Sequence, residues 1–283
     1  MSAAPRRWQV RSTVAVLALS VVSTLLGLLR PGHYGVDPAR VRYYQVQDAT
    51  VLLVGVPVLA AGLWYATRGS HWGRVVWLGG LAYATYMWAS VGLQAPYNEF
   101  FLGYVALFSL SLFAFVGGVV TTDPEPVRRA LEGRVSTSFY GGALVLIAVG
   151  LGILWLADIV PALLAGTTPR IVEEGGRGTL ITHLLDLGVV VPSLFVAGVW
   201  LRRGLTWGYV LAGVALVLGA TLAASISATT VVLLTGETIT VSPVAAVFTF
   251  LPVLVSAVLA VRYVASIGGR ERGRATEEVS GTA

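Results

Sequence analysis

Eight apolar runs, at roughly 12–29, 48–67, 74–93, 100–120, 138–158, 180–201, 207–230 and 243–264, occupy most of this 283-residue chain. Each is close to the ~20 residues that carry a helix across ~30 Å of hydrocarbon. A hydrophobic share of 56% with 12% charged residues exceeds what one soluble core can hide. No run alternates apolar and polar residues as a strand would, and a lone strand cannot satisfy its backbone in lipid. The expected fold is therefore all-α: a polytopic transmembrane helix bundle of eight spans, whose first partner is the lipid bilayer.

Composition removes several chemistries. The chain has no cysteine, which excludes disulfides, thiolate metal sites and iron–sulfur clusters. It has no lysine either, so no side chain can form a Schiff base. Its three histidines, His33, His71 and His183, place only one near a membrane run, too few for paired axial haem ligands or for a metal set within the bilayer. No cofactor and no metal is expected. The net charge of +5 resides in arginines of loops and tails, where it orients a membrane protein; no nucleic-acid partner is expected.

Arginine placement orients the bundle. The N-terminal Arg6, Arg7 and Arg11 precede an 18-residue apolar run followed by Leu29-Arg30-Pro31-Gly32. A signal peptide would have a shorter core and a small-x-small cleavage site, so an uncleaved first span is expected. With eight spans, fourteen arginines fall on the side of the termini and five (Arg30, Arg40, Arg42, Arg170, Arg177) on the other. Both termini are thus expected in the cytoplasm of a protein of the cell membrane. The segment 121–137, with Pro124 and Pro126, reads as the joint between two halves, and the polar tail 265–283 as a disordered cytoplasmic extension.

Residues 47–73 and 183–208 echo one another. Asp48 aligns with Asp186, Pro57 with Pro192, Ala61-Gly62 with Ala197-Gly198, and Trp64 with Trp200. Arg68-Gly69 aligns with Arg203-Gly204 and Trp72-Gly73 with Trp207-Gly208. The alignment needs a three-residue gap between the acid and the proline and single-residue shifts after it. It implies a tandem 4+4 arrangement, with units at 1–130 and 131–264, both facing the same way.

Ionisable groups in spans are costly and mark candidate sites. Asp48, Glu99, Asp158, His183 and Asp186 all fall at the non-cytoplasmic ends of their runs. Helix capping accounts for Asp48 and Glu99 as well as a site does, and for Asp186 less well, because it lies deeper. Polar stripes Tyr83/Met87/Ser90/Gln94 and Thr221/Ser225/Thr229 recur at helical spacing and are expected to face the His183/Asp186 stripe. The substrate-binding candidates are His183, Asp186, Asp48, Glu99, Gln94 and Ser225 around an outward-opening polar cavity. Tyr43, Tyr44, Trp88, Tyr97 and Asn98 are expected to act as interfacial anchors. A small-molecule or ion ligand suits this set. A lipid- or isoprenoid-modifying enzyme and a non-catalytic partner of another membrane protein are the alternatives.

At Gln47–Pro57, Tyr97–Phe113 and His183–Trp200 the sequence resembles an uncharacterised family of prokaryotic polytopic, eight-span membrane proteins. The resemblance implies a helical membrane bundle and lends no activity and no site residue. The arginine asymmetry predicts that cytoplasm-dependent reporters fused to either terminus are active, whereas one inserted after Gly35 is silent; an active reporter after Gly35 would reverse the orientation.

Overall fold

The computed structural model describes residues 4–36, 38–175, 178–235 and 254–268, which form helices and, among the described residues, no strand. Six helical stretches are long and apolar enough to cross a bilayer: Arg7–Leu29, Arg40–Thr67, Phe101–Val120, Thr137–Ala165, Thr179–Arg202 and Thr206–Ala228. The architecture is that of an integral membrane protein.

In chain order the helices are α1 (Arg7–Leu29), α2 (Pro38–Thr50), α3 (Val56–Thr67), α4 (His71–Gln94), α5 (Phe101–Val120) and α6 (Glu125–Leu131). They continue as α7 (Thr137–Ala165), α8 (Arg170–Gly175), α9 (Thr179–Leu185), α10 (Val191–Arg202), α11 (Thr206–Thr235) and α12 (Leu254–Gly268). The run expected at 243–264 begins outside the described residues, and α12 carries it four residues past Val264. The tail boundary therefore moves to 269, and the remainder of the tail lies outside the described residues.

The third run departs from expectation in an informative way. At 24 residues α4 is about 36 Å long, yet it carries Arg74, Tyr83, Tyr86, Ser90 and Gln94 and is not among the six most apolar stretches. Its surroundings explain this. It packs against α3, α5 and α11, and Trp77, Leu78, Leu81, Tyr83 and Trp88 are almost wholly buried. A helix screened from lipid by its neighbours need not be uniformly apolar. Arg74 is held by Thr122 Oγ1 (2.9 Å), Thr121 Oγ1 (2.8 Å) and the Gly118 carbonyl (3.1 Å). It thereby caps the C-terminal end of α5, where free carbonyls favour a cation.

Two spans are interrupted by single π-helical turns, Val51–Gly55 between α2 and α3 and Asp186–Val190 between α9 and α10. Each is followed at the second helical position by a proline, Pro57 or Pro192. A helix-interior proline lacks its N–H and collides with the carbonyl four residues back. A widened turn relieves that collision, and the Val56 and Val191 N–H groups reach the carbonyls of Val51 and Asp186 five residues back. The prolines expected to kink these spans thus act through π-turns; Pro252 lies outside the described residues.

Small residues let the helices approach closely. A Cβ on Gly62 would lie 2.5 Å from the Trp77 backbone nitrogen, and one on Gly198 would lie 2.7 Å from the Gly141 carbonyl oxygen. Gly79 similarly seats Val217 between α4 and α11. Backbone cannot yield as a flexible side chain can. Gly62→Val and Gly198→Val should therefore each lower stability by about 1–3 kcal/mol, read as reduced melting temperature in detergent micelles. Gly150→Val, where a Cβ meets nothing within 4 Å, should leave it unchanged.

Candidate functional site

Asp48 and His183 occupy comparable places, each three residues ahead of a π-turn. Neither Asp48 nor Asp186 caps a helix start: Asp48 is in the last turn of α2, and Asp186 opens the π-turn in the middle of its span. Asp48 is 3% exposed and accepts a 2.6 Å hydrogen bond from Tyr34 Oη. Its carboxylate lies against Gly27 of α1, where a Cβ would overlap it. Asp186 accepts from Tyr86 Oη at 2.8 Å through one oxygen and from Trp155 Nε1 at 2.9 Å through the other. No arginine pairs with either carboxylate among the described residues, and the two share no partner there.

His183 is 3% exposed. Its Nδ1 lies 2.7 Å from the Thr179 carbonyl oxygen, and its ring meets Trp155 edge-on with centroids 4.4 Å apart. No group among the described residues hydrogen-bonds its Nε2, which is buried. One cluster therefore draws on three parts of the bundle: His183 and Asp186 from the π-interrupted span, Tyr86 from α4 and Trp155 from α7.

The expected facing of polar stripes is realised as direct contact. Tyr83 Oη and Ser225 Oγ are 3.0 Å apart across α4 and α11. Gln94 Nε2 donates to Ser90 Oγ (2.7 Å) and to Thr182 Oγ1 (3.2 Å), tying α4 to α9 beside His183. Tyr44 Oη donates to the Gln94 carbonyl at 3.1 Å, and its ring stacks on Tyr34 at 4.5 Å. A polar seam thus runs from Asp48 through Tyr34, Tyr44 and Gln94 to Thr182. Thr221 is satisfied within its own helix by the Val217 and Leu218 carbonyls, and the Thr229 side chain lies outside the described residues.

Glu99 stands apart: it is exposed and forms a 2.9 Å ion pair with Arg30. The grooves of note, of about 560, 370, 340 and 140 Å³, are lined by none of the six candidates. Asp48, His183, Asp186 and Ser225 are buried, Gln94 is half-buried and Glu99 is exposed. Trp88 and Tyr44 are buried, and their polar tips reach Ser20 Oγ and the Gln94 carbonyl. Tyr97 is 86% exposed. Sequence reasoning missed Tyr34, Tyr86 and Trp155. Only the spacing of Tyr86 from Tyr83, one turn along α4, hinted at a polar face, and Trp155 lies in a run with no polar periodicity.

Outside the spans, His33 is buried with Nε2 3.1 Å from Tyr104 Oη. Burial and then the nearby Arg30 guanidinium lower its pKa below the ordinary 6.5, the Glu99 carboxylate opposing them. No family model matches the chain, and no curated protein or solved structure is detectably similar to it.

Because the folded protein favours neutral His33, the unfolded chain binds the extra proton first. The stability present above pH 6.5 is lost as the pH falls toward the lowered folded value. The melting temperature should drop between pH 7.5 and 5, and His33→Gln should drop less over the same interval. An equal drop in both proteins would exclude His33 as a cause.

Proposed function

We propose that this is a multi-pass protein of the cell membrane that binds a small hydrogen-bonding or cationic solute, or an ion, at the seam around His183 and Asp186, in the manner of a transporter. On this reading the chain comprises eight spans in two tandem four-helix units, residues 1–130 and 131–264, with both termini cytoplasmic.

The observation that carries the reading is the recurrence of one broken-helix device at the seam. Pro57 and Pro192 are 135 residues apart, and the same spacing relates the two π-turns, the positive-φ Gly69 and Gly204, and the starts of α4 and α11. It also relates Gly73, whose Cβ would strike Tyr65 and Ala66, to Gly208, whose Cβ would strike Trp200 and Leu201. This register has no gaps and pairs Asp48 with His183, and it replaces the gapped pairing of Asp48 with Asp186. The cross-contacts also come in pairs: α4 packs on α11, α4 on α9, and α11 on α2. Broken helices at a repeat interface are where transporters of other folds place their ligands, an analogy of architecture only.

An alternative is an enzyme acting on a lipid or isoprenoid, with His183 and Asp186 as acid–base pair. It needs an acyl-sized groove reaching that pair. Grooves of about 560 and 370 Å³ are instead lined by residues such as Arg42, Leu53 and Ala228, or Trp72, Val76 and Val261.

A thermal-shift survey of the purified protein with amines, amino acids, sugars and alkali cations tests the reading. A ligand present at about 100 times its Kd should stabilise the wild type by about 2.7 kcal/mol. Asp186→Asn should abolish that gain while keeping a cooperative melt. Stabilisation of both proteins alike would remove the ligand from this site.

A further inference from the structure

We infer that the groove between the Arg40–Thr67 span and α11 binds one phospholipid of net negative charge, with its phosphate on Arg42 and an acyl chain laid along the groove toward Leu53. The groove has a volume of about 560 Å³, and no residue of the His183–Asp186 cluster lines it. It is a second site, apart from the proposed solute seam.

Helical periodicity shapes the groove. Its lining residues on α2 and the following π-turn recur every three or four positions, from Arg42 and Gln45 to Leu53 and Val54, which is one face of a helix. Ala224 and Ala228, one turn apart on α11, form the facing wall, and their small side chains leave the space between. From Arg42 to Val54 the wall is about 18 Å long at 1.5 Å per residue. One leaflet of hydrocarbon is ~15 Å deep, half of ~30 Å. The groove thus begins near the end of a span that starts at Arg40 and runs about as deep as one acyl chain. Leu53 is 73% exposed, so an acyl chain enters sideways from the bilayer.

The two ends of the groove differ in chemistry as the two ends of a lipid do. Beyond Arg42 and Gln45 the lining is apolar except for Thr50, whose hydroxyl is spent on the Val46 carbonyl at 2.8 Å. Arg42 is exposed, and among the described residues neither its side chain nor that of Gln45 forms a hydrogen bond or an ion pair. A guanidinium presents a planar fork that grips two phosphate oxygens at once. The Gln45 amide adds a donor one turn away. An arginine with no carboxylate beside it, at the membrane surface, favours a headgroup of net negative charge over one in which a choline cancels the phosphate. The grooves of about 370 and 340 Å³ have no charged side chain on their walls. They offer a surface to a lipid tail and nothing to a headgroup.

The full chain, purified in detergent and stripped of lipid, is titrated with phosphatidylglycerol or with phosphatidylcholine of the same acyl chains and read by native mass spectrometry. One phosphatidylglycerol should bind per chain, about fivefold more tightly than phosphatidylcholine. Arg42→Gln should remove that preference by weakening phosphatidylglycerol about fivefold. Arg203→Gln, the same loss of charge at the exposed end of α10, should change neither lipid. Ala228→Phe fills the groove and should abolish the binding of both. Because Arg42 is exposed, Arg42→Gln keeps the fold and decides the matter if Ala228→Phe does not melt cooperatively. The chain has no cysteine, so Leu53→Cys carries a photoreactive label at one place. In nanodiscs containing phosphatidylglycerol the label should crosslink to lipid. Equal affinity for the two lipids, binding indifferent to Arg42→Gln, or a crosslink to residues 236–253 of the same chain in place of lipid overturns the inference.

Discussion

In a bilayer, a polar group must find its partner inside the protein, because hydrocarbon offers none. The arrangement of this bundle derives from that constraint. Tyr34 answers Asp48, Tyr86 and Trp155 answer Asp186, and Ser225 answers Tyr83. The Tyr86, Trp155 and Ser225 pairs join different helices and so specify which helix packs beside which, while Tyr34 reaches Asp48 from the loop ahead of α2. They also explain the place of α4, which carries Arg74, Tyr83, Tyr86, Ser90 and Gln94, among α3, α5 and α11. Its tyrosines and glutamine are tolerable only there.

The same constraint gives the prolines their meaning. A proline within a span frees a carbonyl that must be bonded again. At Pro57 and Pro192 the chain does so with a π-turn, which re-satisfies the backbone five residues along. One extra residue in the turn rotates the N-terminal part of the span relative to the C-terminal part. Side chains three residues ahead of the turn, Asp48 and His183, are thereby directed inward while the rest of each span keeps its apolar face to the lipid. The ionisable groups and the broken turns have one cause.

Run lengths and the absence of alternation are enough to read the helical membrane architecture, and charge in the spans is enough to point to His183, Asp186 and Asp48. The one-dimensional pattern lacks the identity of partners. Trp155 is one aromatic in a long apolar run, and nothing local to it announces a carboxylate 31 residues away. Glu99 shows the converse: it shares the sequence character of the seam acids, but an exposed ion pair with Arg30 settles it elsewhere. On the proposed duplication, the register of the echo is hidden from sequence for a physical reason too. Residue identity matches an acid to an acid, whereas backbone features, the π-turn and the left-handed glycine, preserve position when side-chain chemistry does not.

On the proposed duplication, the exchange of Asp48 for His183 gives the two halves opposite dispositions toward a proton. An aspartate carries charge when it loses one, an imidazole when it gains one. On the same register Asp186 stands where the other half has Val51, so the halves differ at two equivalent positions. Asp48 is closed in by Gly27 and Tyr34, whereas His183 keeps a lone pair uncommitted.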